Sequence, residues 1–146
     1  MARKESALQK ACVGWFRLQY RSRAQLLFAV PNGGGRTRIE ASIMNGEGVL
    51  AGVADLIYLE SRGGYGSLCI EMKTRTGRQS PEQKEWQKAA EAGGNRYVVC
   101  RSFDDFKPAI DGYMSLEASH GFIVNIKGPM PLPVIAKKKP FKIYDL

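Results

Sequence analysis

Two short apolar runs that read as β-strands each carry a carboxylate, and this constrains the fold of the chain more than any other feature. The runs are Val53-Ala-Asp-Leu-Ile-Tyr-Leu59 and Leu68-Cys-Ile-Glu-Met-Lys73. Side chains alternate faces along a strand, so Glu71 and Lys73 point one way while Leu68, Ile70 and Met72 point the other. Aspartate is depleted in strands, and a half-buried carboxylate is costly without compensation. The link Ser61-Arg-Gly-Gly-Tyr-Gly-Ser67 reads as a hairpin loop. Antiparallel neighbours lie about 4.8 Å apart, so a matched register brings Asp55 and Glu71 to one ion. Two carboxylates and an ammonium at a sheet edge suit a hard divalent cation bound through oxygen. The plainer alternative is a Glu71–Lys73 ion pair on a solvated face with Asp55 in a turn, because D…ExK is a short pattern.

Helical and strand patterns alternate around this hairpin, which favours an α/β fold. Residues 4–20 read as an amphipathic helix with Leu8, Ala11, Cys12, Trp15 and Leu18 at helical spacing. Glu5 extends that stripe and aims its carboxylate at the domain; a first-turn glutamate favoured by the helix dipole is the alternative. Gln25–Val30 reads as a strand ended by Pro31, Asn32 and three glycines. That loop either brings backbone N–H groups to a phosphate, with Arg36 and Arg38 just beyond, or is a flexible turn. Residues 37–46 read as a short helix with Ile39, Ile43 and Met44 inward, and Gly46, Gly48 and Gly52 break the chain before Asp55.

After Lys73 the basic loop Thr74–Gln79 leads into Ser80-Pro-Glu-Gln83, a strong helix start with Ser at the N-cap and Gln at the capping-box position. The helix runs to about Ala92, with Trp86, Ala89, Ala90 and Gly93 as its expected buried stripe. Gln83 lies one turn before Trp86 and either caps the helix or reaches the site. Arg96–Arg101 reads as a strand and Phe103–Met114 as a helix. The last part changes character, so the chain divides into 1–120 and 121–146. Phe122–Ile126 suggests one more strand, and Pro129, Pro131 and Pro133 favour an extended path. Lys137, Lys138, Lys139 and Lys142 then make a basic arm across a partner protomer or along a polyanion, or a solvated tail.

Composition narrows the chemistry. With 146 residues the chain is one domain with a sizeable core. Lys and Arg number 22 against 14 Asp and Glu, a net charge of +8 that favours nucleic acid or an anionic surface. No apolar run approaches the roughly 20 residues of a spanning helix, and the start of the chain lacks a signal-peptide pattern. Cys12, Cys69 and Cys100 read as core residues of a reducing compartment. His120 is the only histidine, which excludes zinc sites built from several imidazoles, and no phosphate-binding GxxxxGK[ST] motif provides for a nucleotide cofactor.

Four blocks in order resemble the VRR-NUC family, the virus-type replication-repair nucleases of the PD-(D/E)XK superfamily. They are Pro31–Gly35, Gly48–Leu56, Ile70–Lys73 and Gly77–Trp86, within a resemblance over roughly residues 3–115. One departure is Ala54, where the family usually has proline; that position shapes a turn and binds no metal. The resemblance implies a restriction-endonuclease-like core, a central mixed sheet flanked by helices. It implies Asp55 and Glu71 as ligands of Mg²⁺ or Mn²⁺, the Met72 carbonyl as a further ligand, and Lys73 as the catalytic lysine. A first-helix glutamate commonly completes the site, which points to Glu5, with Gln9 one turn later as the other candidate. Gln83 would reach the metal-bound water or a DNA phosphate.

The implied activity is a metal-dependent endonuclease for branched DNA, like a homodimeric Holliday-junction resolvase, in the cytoplasm of a bacterium or a virus-infected cell. DNA contacts are expected from Arg36, Arg38, Arg75, Arg78, Lys84 and the terminal lysines. No base-reading module is recognisable, so selectivity is expected from DNA shape. The competing expectations are a flap or restriction-type endonuclease with the same site, a non-catalytic DNA-binding module, and a basic RNA-associated protein that leaves the carboxylates unexplained.

Overall fold

A computed structural model describes residues 2–31 and 37–119 of the chain. Its elements are helix α1 (Ala2–Gln19), a 3₁₀ turn (Arg21–Leu26), strand β1 (Leu27–Ala29), helix α2 (Arg38–Gly46), strands β2 (Leu56–Tyr58) and β3 (Leu68–Met72), helix α3 (Pro81–Ala92), strand β4 (Arg96–Cys100) and helix α4 (Phe103–Met114). The strands form one mixed sheet in the order β1-β2-β3-β4. The first two pairs are antiparallel and the last is parallel. A parallel pair needs a crossover, and α3 supplies it between β3 and β4.

Helices cover both faces, as the α/β expectation required. On one face Cys12 and Phe16 of α1, with Phe106, Ile110 and Tyr113 of α4, pack against Leu27, Leu56, Tyr58, Leu68, Ile70 and Met72. On the other, Ala90 and Trp86 of α3 meet Ala54, Ile57, Cys69, Tyr97 and Val99. All five residues of β3 are therefore buried. The β2–β3 hairpin is pinned to α4 by Arg62 Nη1, which donates to the carbonyls of Met114 (2.8 Å) and Leu116 (3.0 Å). The three cysteines are free and buried. Among the described residues no helix is long and apolar enough to cross a membrane.

Several local expectations need correction. The run 25–30 opens as a 3₁₀ turn, and only Leu27–Ala29 is strand. Asp55 occupies a bend immediately before β2, and Lys73 follows the last residue of β3. In α1 the stripe continues from Cys12 to Phe16, one turn on, leaving Leu18 on the outside and 70 % exposed. Helix α2 buries none of its residues, and Ile39 and Ile43 are 73 % and 56 % exposed. In α3 only Ala90 is buried; Trp86 is partly covered, while Ala89 and Gly93 face outward. The glycine loop with Arg36, the strand expected at 122–126, His120 and the basic arm lie outside the described residues.

Candidate active site

The β2–β3 register fixes the central pair. Leu56 faces Ile70 and Ile57 faces Cys69, so one step further along each chain Asp55 faces Glu71. The Asp55 carboxylate is held in place by the Met72 amide, which donates to its Oδ2 at 2.7 Å. Glu71 is only 1 % exposed and belongs to the α3 face of the sheet. Burial is the largest influence on both groups and raises both carboxyls. In Asp55 it is opposed by the Met72 N–H, by the neighbouring Glu71 side chain and by the Lys73 charge. In Glu71 the charge of Asp55 adds to burial, and the carboxyl rises to about 7. Two carboxylates this close do not both ionise readily unless positive charge joins them.

Lys73 supplies part of that charge. Its Nζ lies 3.3 Å from Glu71 Oε1, and its side chain is only 13 % exposed. The same oxygen accepts a hydrogen bond from Gln83 Nε2 at 2.7 Å. Glu71 Oε2, in contrast, is buried and receives no donor among the described residues. Such an oxygen carries a large desolvation cost as a carboxylate, which a proton or a bound cation removes. Mg²⁺ is typically held by one or two carboxylates plus waters and substrate phosphates, so Asp55 and Glu71 fit Mg²⁺ or Mn²⁺ without a protein cage. Among the described residues no three His, Cys, Asp or Glu side chains converge as one cluster.

Gln83 caps α3 as one of its alternatives required, and its side chain also bonds Glu71, a partner not expected for it. Its Oε1 accepts from the Ser80 amide at 2.8 Å, while its own amide donates to the Ser80 hydroxyl at 3.2 Å, a complete capping box. This leaves Nε2 for Glu71. Gly52 makes the placement possible. Its φ is +86°, and a Cβ there would stand 2.5 Å from the carbonyl carbon and oxygen of Glu82 and 2.9 Å from the Gln83 nitrogen. Only glycine lets the segment before Asp55 lie against the first turn of α3. Gly52 stood in the sequence as a chain break; its position three residues before Asp55 was the available signal.

Glu5 comes from α1 to the sheet end, where its Oε1 accepts from the Thr74 amide at 3.2 Å. Its charge raises the Asp55 carboxyl, although it forms no three-carboxylate cluster with Asp55 and Glu71. Gln9 lies instead among residues facing β1, beside Val13 and Phe28. Arg101, which sequence reasoning missed, latches the loop after Lys73. Its Nη1 donates to the carbonyls of Thr74 (2.8 Å) and Gly77 (2.6 Å). An arginine at a strand end gave no signal of this, because its acceptors are main-chain groups.

Lys73, Glu5 and this loop border a cleft of about 500 Å³ that also includes Lys4, Leu8 and Phe103. Of the expected DNA contacts, Arg75 is exposed on the cleft wall. Arg78 is exposed on the same loop, Lys84 on α3 and Arg38 at the start of α2. The arrangement is a carboxylate pair braced by Gln83 and the Met72 amide, with an ammonium beside it and Lys4 and Arg75 on the adjoining cleft.

The VRR-NUC domain family matches residues 2–104, a span that includes Glu5, Asp55, Glu71, Lys73 and Gln83. A solved structure of a VRR-NUC domain protein is 27 % identical and superposes with a TM-score of 0.69, covering 78 % of this chain and 90 % of that one. A search among curated proteins gave no match. With the family spanning most of the chain and the mixed sheet shared with a solved member, the protein belongs to the VRR-NUC family of nucleases.

Proposed function

We propose that the chain is a Mg²⁺- or Mn²⁺-dependent endonuclease that hydrolyses phosphodiester bonds in branched DNA. The observation carrying this reading is the Asp55–Glu71 pair, with Lys73 Nζ 3.3 Å from Glu71 and a buried Glu71 oxygen that lacks a donor among the described residues. Asp55, Glu71 and the Met72 carbonyl would hold the ion. The chemistry it supplies when bound is Lewis acidity, which neutralises charge on the phosphoryl group and eases deprotonation of the attacking water.

The protein's own groups do the positioning. Gln83 and the Met72 amide each fix one carboxylate oxygen, leaving the other oxygen of each acid for the ion they would hold. Lys73 orients the attacking water and stabilises negative charge developing on the phosphoryl oxygens. Glu5, tied to Thr74, holds the loop after Lys73 close to the site. Exposed Arg75, Arg78, Lys84 and Arg38 bind backbone phosphates, so affinity falls as salt rises.

Cutting a junction takes paired incisions, which a two-fold dimer supplies by symmetry. A second copy of the chain is the partner proposed for the apolar face of α2. Arg38 starts this helix and Glu47 caps its end. Antiparallel apposition of two copies would therefore set opposite charges against each other at both ends, with Ile39 and Ile43 between them.

The test is cleavage of a panel of four-way junction, flap, splayed-arm and linear duplex DNA with Mg²⁺ and with Mn²⁺. Branched DNA should be cut in preference to duplex. Asp55→Asn, Glu71→Gln and Lys73→Ala should each slow cleavage by at least ~10²-fold, the lower end for a group acting at the reacting centre. Wild-type rates from purified Lys73→Ala protein would overturn the assignment.

A further inference from the structure

The cleft beyond Lys73 is reached from the carboxylate pair through Lys73, which lines it together with Glu5. Its floor is apolar, made by Leu8 of α1 and Phe103 at the start of α4, both partly buried. Its rim is cationic, with exposed Lys4 and Arg75 alongside Lys73. Among the described residues lining it, Glu5 is the one acid. Phe103 is held edge-on against Trp15, with ring centroids 5.4 Å apart, and Trp15 in turn packs on Phe106. The aromatic floor is therefore fixed by the core. The opposite wall is fixed too, because Arg101 pins the carbonyls of Thr74 and Gly77.

A rigid apolar recess with a positive rim matches one kind of occupant: a flat apolar ring attached to a phosphate. The volume of about 500 Å³ lies within the usual range for small-molecule sites and is ample for a nucleoside. We propose that this cleft takes one unpaired nucleobase of the DNA strand being cut, next to the scissile phosphate, with Lys4 and Arg75 on the adjoining phosphate. This rests on the nuclease reading above and deepens it. A base still stacked in a continuous duplex must first be extruded, at a cost that is least where the strand is already unpaired. Preference for branched DNA then has a local cause: the branch supplies a nucleotide that is free to enter. Aromatic stacking of this kind tolerates any base, consistent with a site that selects shape and not sequence.

The experiment uses the full chain and splayed-arm DNA. The cut bond is mapped first, and the nucleotide on either side of it is then replaced by an abasic residue. Removing the base on one side should slow cleavage about 5-fold or more, the factor expected for one lost stacking contact. Thr76→Trp, which fills the cleft from its exposed rim, should slow cleavage of splayed DNA and abolish the difference between normal and abasic strands. Its melting temperature checks folding. Binding is read separately without divalent ion, by 2-aminopurine placed at successive positions near the branch. One position should brighten on binding to wild-type protein and stay dim with Thr76→Trp.

Equal cleavage of normal and abasic strands on both sides would overturn the subsite while leaving the nuclease intact. Absence of cleavage on every DNA with either ion would overturn the nuclease reading. In that case the 2-aminopurine signal still decides whether a base enters: brightening that Thr76→Trp removes supports entry, and no brightening at any position overturns it.

Discussion

Gln83 joins a helix cap and the proposed site in one side chain. Its carbonyl oxygen belongs to the α3 cap and its amide nitrogen to Glu71. Two substitutions separate these duties. Ser80→Ala removes the hydroxyl that accepts from the Gln83 amide and should cost about 1 kcal/mol of stability, as N-cap losses do. It leaves Gln83 Nε2 to hold Glu71, so cleavage well below the melting temperature should change less than about 3-fold, since about 1.4 kcal/mol in a barrier is tenfold. Gln83→Ala should cost a similar amount of stability and slow cleavage more than tenfold, because Glu71 then loses the donor that orients it. Denaturation curves and initial rates on the same preparations check this; equal rates for the two variants would remove Gln83 from the site. The residues of this site were legible in different degrees. Asp55, Glu71 and Lys73 stood out because charged groups interrupt apolar runs. For Gln83 the cap was legible but the bond to Glu71 was not, and Arg101 was not legible at all, because its partners are carbonyls that every residue possesses.

At the scale of elements, sequence periodicity located helices well but not always their buried faces. Helix α4 was legible end to end, Phe103 to Met114, because Ser102 caps it and Phe106, Ile110 and Tyr113 form an unbroken inner stripe. The same kind of stripe in α2 misled, since Ile39, Ile43 and Met44 were expected inward and none is buried. Periodicity reports that a helix has an apolar side; it cannot report whether this chain or another molecule covers it. The distinction is measurable. Ile43→Asp alters a side chain that the fold does not bury, so the unfolding free energy of the isolated protomer should move by no more than about 0.5 kcal/mol. If two copies meet along α2, the same substitution places like charges near the two-fold axis and should shift mass photometry from dimer towards monomer. A wild-type protein that is monomeric at micromolar concentration would end the dimer reading.

At the scale of the whole molecule, the sheet is tied to its helical layer by one buried acid, and this gives stability a defined dependence on pH. Glu60 follows β2 and is 8 % exposed. Its carboxylate accepts from Arg23, in the turn after α1, at 3.0 Å, from Tyr58 at 3.0 Å, and from Arg62 of the hairpin loop. Its main-chain carbonyl accepts from Tyr113 of α4 at 2.6 Å. Burial alone would raise the carboxyl, but the hydrogen bonds from Arg62, Arg23 and Tyr58 outweigh it and hold it at about 2, against 4.5 for an ordinary glutamate. A carboxyl lower in the folded chain than in the unfolded one stabilises fully above the unfolded value. That contribution is lost as pH falls through the interval from about 4.5 to about 2, on the order of 3 kcal/mol in all. Asp55 and Glu71 have the opposite sign, since their raised carboxyls favour the folded state when protonated, and the growing positive charge of a basic chain destabilises it at low pH. Raw acid denaturation therefore mixes several contributions, and the comparison with Glu60→Gln isolates one. The variant should be less stable at pH 7, where buried Arg62 loses its counter-charge, and the gap to wild type should close as pH falls towards 2. Urea denaturation of both proteins at pH 7, 4.5, 3 and 2 measures the gap; a difference that stays constant across that range would mean that the Glu60 carboxylate does not carry the link.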